Sequence, residues 1–137
     1  MRTQPTRSDP GPQDQAVFDA RPEAVANARD FARAFVGTLS PALSHQDAAS
    51  VELVVSELVT NAVRHARGTS CSLRLEDQLG GVAVVVVDED PRPPQERAPD
   101  LVGGTGGFGW PMVQHLAKAV IVTTGPNGKT IRAVLPR

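Results

Sequence analysis

In the run SELVTNAVRHA, Glu57 and Asn61 stand four positions apart, with Arg64 and His65 one turn further on. On a helix these side chains stack on one face. A carboxylate, an amide oxygen and a guanidinium gathered this way can supply a general base, a ligand for a hard metal ion and a phosphate contact. The same spacing also describes the solvated face of an amphipathic helix, so geometry permits a site here without requiring one. A second group is VVVVDEDPRPP, where Asp88 closes a run expected to be buried. An ionised carboxylate there needs hydrogen-bond donors to offset its desolvation. A nucleobase amino group would serve, and so would the turn that follows. Asp90, inside that proline-rich turn, is expected to be exposed.

The third group is GGTGGFGWPMV at 103–113. Gly104, Gly106 and Gly109 formally match a dinucleotide-binding G-x-G-x-x-G, but that motif should follow a strand directly, and here a long loop intervenes. Gly128-Lys129-Thr130 likewise fails as the end of a Walker A loop, because Thr123 stands where its first glycine belongs and a strand follows. What remains is more general. Glycines feeding a helix N-terminus expose backbone N–H groups where the helix dipole favours anions, and Pro111 fits the first turn of such a helix. A flexible hinge would account for the same glycines.

The elements that must position these groups follow from periodicity. PEAVANARDFARAFVGTL places Val25, Ala28, Phe31, Ala32 and Phe35 at helical spacing, and DAASVELVVSELVTNAVRHA does the same with Val51, Val54, Val55, Leu58, Ala62 and Ala66, ending near Gly68. The period then changes. CSLRLED alternates as a half-buried strand, QLGG is a turn, and VAVVVVD is β-branched like a central strand, which predicts a hairpin. EDPRPPQERAPDLVGGTGG carries too much Pro and Gly for a regular element and reads as a lid. WPMVQHLAKA reads as a short helix, and AVIVTT and KTIRAVL as strands joined at GPNG. The predicted fold class is an α/β (α+β) two-layer sandwich: a mixed, mostly antiparallel sheet with helices on one face.

A chain of 137 residues has room for one sizeable core. Its first fifteen residues carry Pro, Gly and charge with little to bury, so residues 1–15 are expected to form a mobile tail and residues 16–137 the domain. With 14 basic and 15 acidic residues the net charge is −1, which gives no broad field for nucleic acid or an anionic membrane. The single cysteine, Cys71, has no partner for an internal disulfide, and there is no signal segment or bilayer-length apolar run. The expected location is the cytoplasm.

The order of these features resembles the GHKL superfamily of ATP-binding domains: a helix bearing ELVTNAVRHA, a strand ending in Asp88, a lid with Gly107-Phe108-Gly109 entering a helix, and GKT opening the last strand. More narrowly it is similar to the anti-sigma factor serine/threonine kinases of the RsbW and SpoIIAB type, in their small stand-alone form. The resemblance covers roughly residues 16–137. It implies ATP and Mg²⁺ as cofactors, Asn61 as the Mg²⁺ ligand and Glu57 as general base toward the attacking hydroxyl or water. It further implies Asp88 as acceptor for the adenine amino group, with Thr130 beside it through a water. Gly107 and Gly109 would bring backbone N–H groups to the phosphates, with Arg64 as a further phosphate contact and His65 structural or peripheral. The implied partners are a sigma factor and an anti-anti-sigma STAS antagonist. Family members often dimerise, although no stripe is visibly left over here for a homodimer. Two residues depart from the family pattern. Phe108 stands where a basic residue is usual, and Asp90 adds negative charge near the expected triphosphate. They motivate an alternative reading, a non-catalytic interaction module.

Overall fold

The computed structural model describes residues 13–64, 69–94 and 109–137. Along the chain run β1 (Gln13–Asp19), α1 (Glu23–Gly37), α2 (His45–Arg64), β2 (Ser70–Gln78), β3 (Gly81–Asp88), α3 (Gly109–Leu116), β4 (Ala119–Gly125) and β5 (Gly128–Pro136). The strands form one sheet in the order β1-β2-β3-β5-β4, and every neighbouring pair is antiparallel.

The two long helices follow their apolar periodicity. On α1, Ala24, Ala28, Ala32 and Phe35 are buried at i, i+4 and i+3 steps, and small side chains there let α2 approach closely. On α2, Val51, Val54, Val55, Leu58, Val59 and Ala62 form the buried stripe. Local polar groups set the C-terminal end of α1 and the N-terminal end of α2. Thr38 sends its N–H and its hydroxyl to the Phe35 carbonyl after α1, and the Ser44 hydroxyl accepts the Asp47 N–H ahead of the second turn of α2.

Under the helices, strand alternation turns Cys71, Leu73 and Leu75 of β2, Val82, Val84 and Val86 of β3, and Ile131, Ala133 and Leu135 of β5 into one core with the helical stripes. Among the described residues no helix covers the opposite face of the sheet. There Val85 is paired across its neighbours with Arg74 and Arg132, and both guanidiniums reach Glu76. Burial alone would raise the Glu76 pKa, but the hydrogen bonds and charges of Arg74 and Arg132 bring it below its ordinary value.

Two expectations change. Three residues assigned to the tail, Gln13 to Gln15, belong to β1, because an edge strand is held by its backbone pairing with β2 from Gln13↔Glu76 to Asp19↔Ser70 and needs few apolar side chains. Residues 1–12, the expected end of the second helix near Gly68, and most of the expected lid lie outside the described residues. Among the described residues every strand pair is antiparallel, where the expectation was a mixed, mostly antiparallel sheet.

Candidate functional site

Antiparallel pairing brings three strand ends together, the start of β2, the end of β3 and the start of β5. Cys71 pairs with Asp88, and Asp88 pairs with Lys129, so the three form a row across the helix-covered face. α3 points its N-terminus toward this end, since its far side is anchored at the opposite one, where Lys118 donates its N–H to Val134 and its ammonium to the Gly80 carbonyl.

Glu57, Asn61 and Arg64 share one face of α2 at i, i+4 and i+7. Glu57 packs against the backbone at Gly109, the first residue of α3; a Cβ there would stand 3.0 Å from the Glu57 Cδ and nearer still to Oε1. Glycine at 109 therefore makes room for a carboxylate. Burial raises the Glu57 pKa above its ordinary value, and the Arg64 charge acts in the opposite direction. A raised pKa and a position set by a neighbouring helix start are two of the features a general base can use. Asn61 lies between Glu57 and Arg64 along the same helix face, half-buried, and offers an amide oxygen. Gly107, Phe108 and His65 lie outside the described residues.

Asp88 is buried, as expected of a residue ending β3, but its partner comes from within the fold. The Lys129 ammonium lies 2.9 Å from Asp88 Oδ2 and 3.1 Å from Oδ1, and both side chains are almost fully enclosed. The Asp90 N–H donates to Asp88 Oδ1 at 2.9 Å. Gly128 lets β5 start this close, because a Cβ there would meet the backbone of Asp88 and Glu89. Glu89 fastens the corner from the other side, its Oε1 accepting the N–H groups of Thr69 and Ser70.

Asp90, expected to be exposed, is only 1 % exposed. Its carboxylate accepts the Arg92 N–H and grips the Arg92 guanidinium, with Nη2 2.7 Å from Oδ2. That side-chain hydrogen bonding holds the Asp90 carboxyl well below the usual carboxylate range. The turn folds the acid inward and supplies its own cation, so its charge is compensated locally.

Thr130 is also corrected. Alternation along β5 puts Lys129, Ile131 and Ala133 on the helix-covered face, and Thr130 pairs with Val87 and Thr123 on the other. The residue beside Asp88 is Lys129, which sequence reasoning treated only as part of a rejected phosphate-loop motif. Counting inward from Ile131, Ala133 and Leu135 would have found it.

No group of three His, Cys, Asp or Glu side chains capable of holding a metal ion occurs among the described residues. Nor is any helix among them long and apolar enough to cross a membrane.

Comparison with known proteins agrees with this architecture. The model of the histidine kinase-like ATPase domain matches residues 18–135. The anti-sigma F factor of Pasteuria penetrans is 31% identical over 128 residues, covering 83% of each chain. Among solved structures, the RsbU and RsbW domains of a Mycobacterium tuberculosis protein superpose with a TM-score of 0.67 at 22% identity, over 93% of this chain and 33% of that one. This likeness is one of fold, and the present chain spans a third of that protein's length. The chain thus belongs to the histidine kinase-like ATPase domain family, with an anti-sigma F factor among its relatives.

Proposed function

We propose that this chain is an ATP- and Mg²⁺-dependent serine/threonine kinase that binds a sigma factor in the cytoplasm and phosphorylates an anti-anti-sigma STAS antagonist. The observation that carries the reading is the Glu57 carboxylate, made more basic by burial and held against the first residue of α3. In the transfer, Glu57 takes the proton from the attacking serine or threonine hydroxyl, whose oxygen bonds to the γ-phosphorus as ADP leaves. The N-terminus of α3, with Gly109 and the preceding Gly107, supplies N–H groups to the phosphates, and Arg64 adds positive charge beside them. Asn61 would hold the Mg²⁺. One amide oxygen suits an ion that keeps several waters and takes its remaining ligands from phosphates. Bound there, the ion would neutralise developing charge on the phosphoryl oxygens. Asp88 accepts the adenine amino group.

Incubation with radiolabelled ATP and candidate STAS antagonists tests the reading: label is expected on a serine or threonine of one antagonist, and Glu57→Ala should bind ATP yet transfer nothing. Label on none, with the protein folded, would refute kinase activity. Calorimetry should show ATP·Mg²⁺ binding that weakens by at least about tenfold in Asn61→Ala, the scale of one lost charge-assisted contact. One observation favours a second reading, a non-catalytic interaction module: the carboxylate assigned to adenine already has an internal cation in Lys129. Absence of ATP binding by the unmodified protein would decide for the module.

A further inference from the structure

A sheet with one wet face alternates apolar and polar residues along its strands, whereas apolar side chains on both parities mark a strand covered on both sides. β3 is of the second kind. Val82, Val84 and Val86 enter the core beneath the helices, and the opposite parity carries Ala83, Val85 and Val87. β4 repeats this, with Val120 and Val122 packed on the core and Ala119 and Ile121 turned away. On that open face Val17, Val87 and Ile121 are 66%, 39% and 58% exposed, so a surface patterned for burial meets solvent. Its charges are few. Register sets Arg74 and Arg132 on either side of Val85, and both reach Glu76, Arg74 through Nε and Arg132 through Nη1. The carboxylate is the more enclosed member and the two arginines reach solvent, so the cluster presents one net positive charge. The other nitrogens of both guanidiniums have no hydrogen bond among the described residues. Asp19, the remaining charged strand residue of this parity, stands at the corner, about 13 Å along β1 from the arginine row.

We infer that the open face of the sheet is a docking surface for an amphipathic helix of a partner protein, one that sets an Asp or Glu of its apolar stripe on Arg74 and Arg132. The unused guanidinium edges match a carboxylate in shape and charge. Val17, Val87 and Ile121 then receive the apolar side chains around it. β3 and β5, of eight and nine residues, make a face about 28 Å long, which a helix of about 19 residues spans. A second copy of this chain fits less well. Stacked face to face about a two-fold axis, it would bring arginines against arginines at the centre of the interface. Two guanidiniums sharing one carboxylate are also too little charge for a polyanion such as nucleic acid.

Two synthetic helical peptides of about 19 residues test this, identical in their leucine stripe except for a central Glu in one and a central Lys in the other. Titrated into the isotope-labelled full chain, the Glu peptide should shift backbone amides around Val87 and Ile121. It should bind at least about tenfold tighter than the Lys peptide, the scale of a hydrogen bond to a charged group. High salt should narrow that gap. In Arg132→Glu, two carboxylates face one guanidinium, the cluster turns net negative, and the preference should reverse. Ile121→Glu, at an exposed position on the edge strand, keeps the test open if Arg132→Glu does not fold: it should weaken the Glu peptide by about tenfold with circular dichroism unchanged. Equal binding of the two peptides, binding of neither, or shifts confined to the helix-covered side overturns the inference. Self-association of the chain that Ile121→Glu abolishes would make the occupant a second copy and overturn it too, as would the same amide shifts on adding a short DNA duplex.

Discussion

Replacing Gly109 with alanine is the most direct test of how the α2 carboxylate is positioned. A Cβ at 109 would lie 3.0 Å from the Glu57 Cδ, whereas carbon atoms rest comfortably at about 3.5 Å or beyond, so the Cδ must move by about 0.5 Å. The carboxylate oxygen beyond it must swing further, on the order of 1 Å, a misplacement that costs about 100-fold in rate when it affects a reacting group. That factor corresponds to about 2.7 kcal/mol of transition-state stabilisation. Folding stability should hardly change, because the displaced atoms end a flexible side chain and alanine is a better helix former than glycine by up to about 1 kcal/mol. The assay is the rate of phosphoryl transfer at saturating ATP, with melting temperature alongside. Gly109→Ala should lose rate with little change in melting, and adding it to Glu57→Gln should cost nothing further, since the displaced group is already absent. Carboxyl carbon NMR gives a readout independent of catalysis: the Glu57 pKa should fall back toward its ordinary value once the side chain is pushed into solvent. A variant that keeps its full rate and leaves the Glu57 titration unmoved would refute the reasoning.

Further outcomes follow from the same contacts. Glu57 binds its proton more tightly folded than unfolded, so its contribution to stability falls as pH rises above about 4.5, its ordinary value. Glu57→Gln should therefore melt higher than the unmodified chain at neutral pH, and the gap should close in acid. Asp90 has the opposite sign. Its depressed pKa gives stability that is full above the ordinary carboxylate range and is lost as pH falls through its own folded value, so Asp90→Asn should flatten the acid limb of the stability curve. Leu73, fully buried in β2, sets the scale for a simple cavity: Leu73→Ala should cost about 2–5 kcal/mol by denaturant titration.

Where apolar periodicity carried the information, the fold was legible in the chain. The stripes of α1 and α2 and the alternation of β2 and β5 are direct records of burial, and the β2–β3 and β4–β5 hairpins follow from the turns between them. β1 was invisible because an edge strand is secured by backbone hydrogen bonds, which leave little mark on composition. Glu57 and Asn61 could be placed on one helix face from spacing, but the contact between Glu57 and Gly109 joins residues 52 positions apart and exists only after packing. Asp90 misled because a charged residue between prolines has the composition of an exposed turn; the Arg92 fork that lets it bury is a property of side-chain geometry. Thr130 was assigned by resemblance, and strand parity alone would have moved attention one residue back to Lys129.

The buried pair at the head of β5 also bears on how the chain finds its fold. Asp88 and Lys129 come together across 41 residues, and closing a loop of that length costs roughly 3 kcal/mol of chain entropy before any constant term. Misaligned closure would cost nearly the same entropy and must be rejected on other grounds. A slip of one residue would turn Lys129 outward, bring Thr130, Arg132 and Val134 under the helices, and leave Asp88 buried without its ammonium. The ion pair therefore favours the native register of the central strand pairing over its one-residue slip, which would leave a buried carboxylate without its cation.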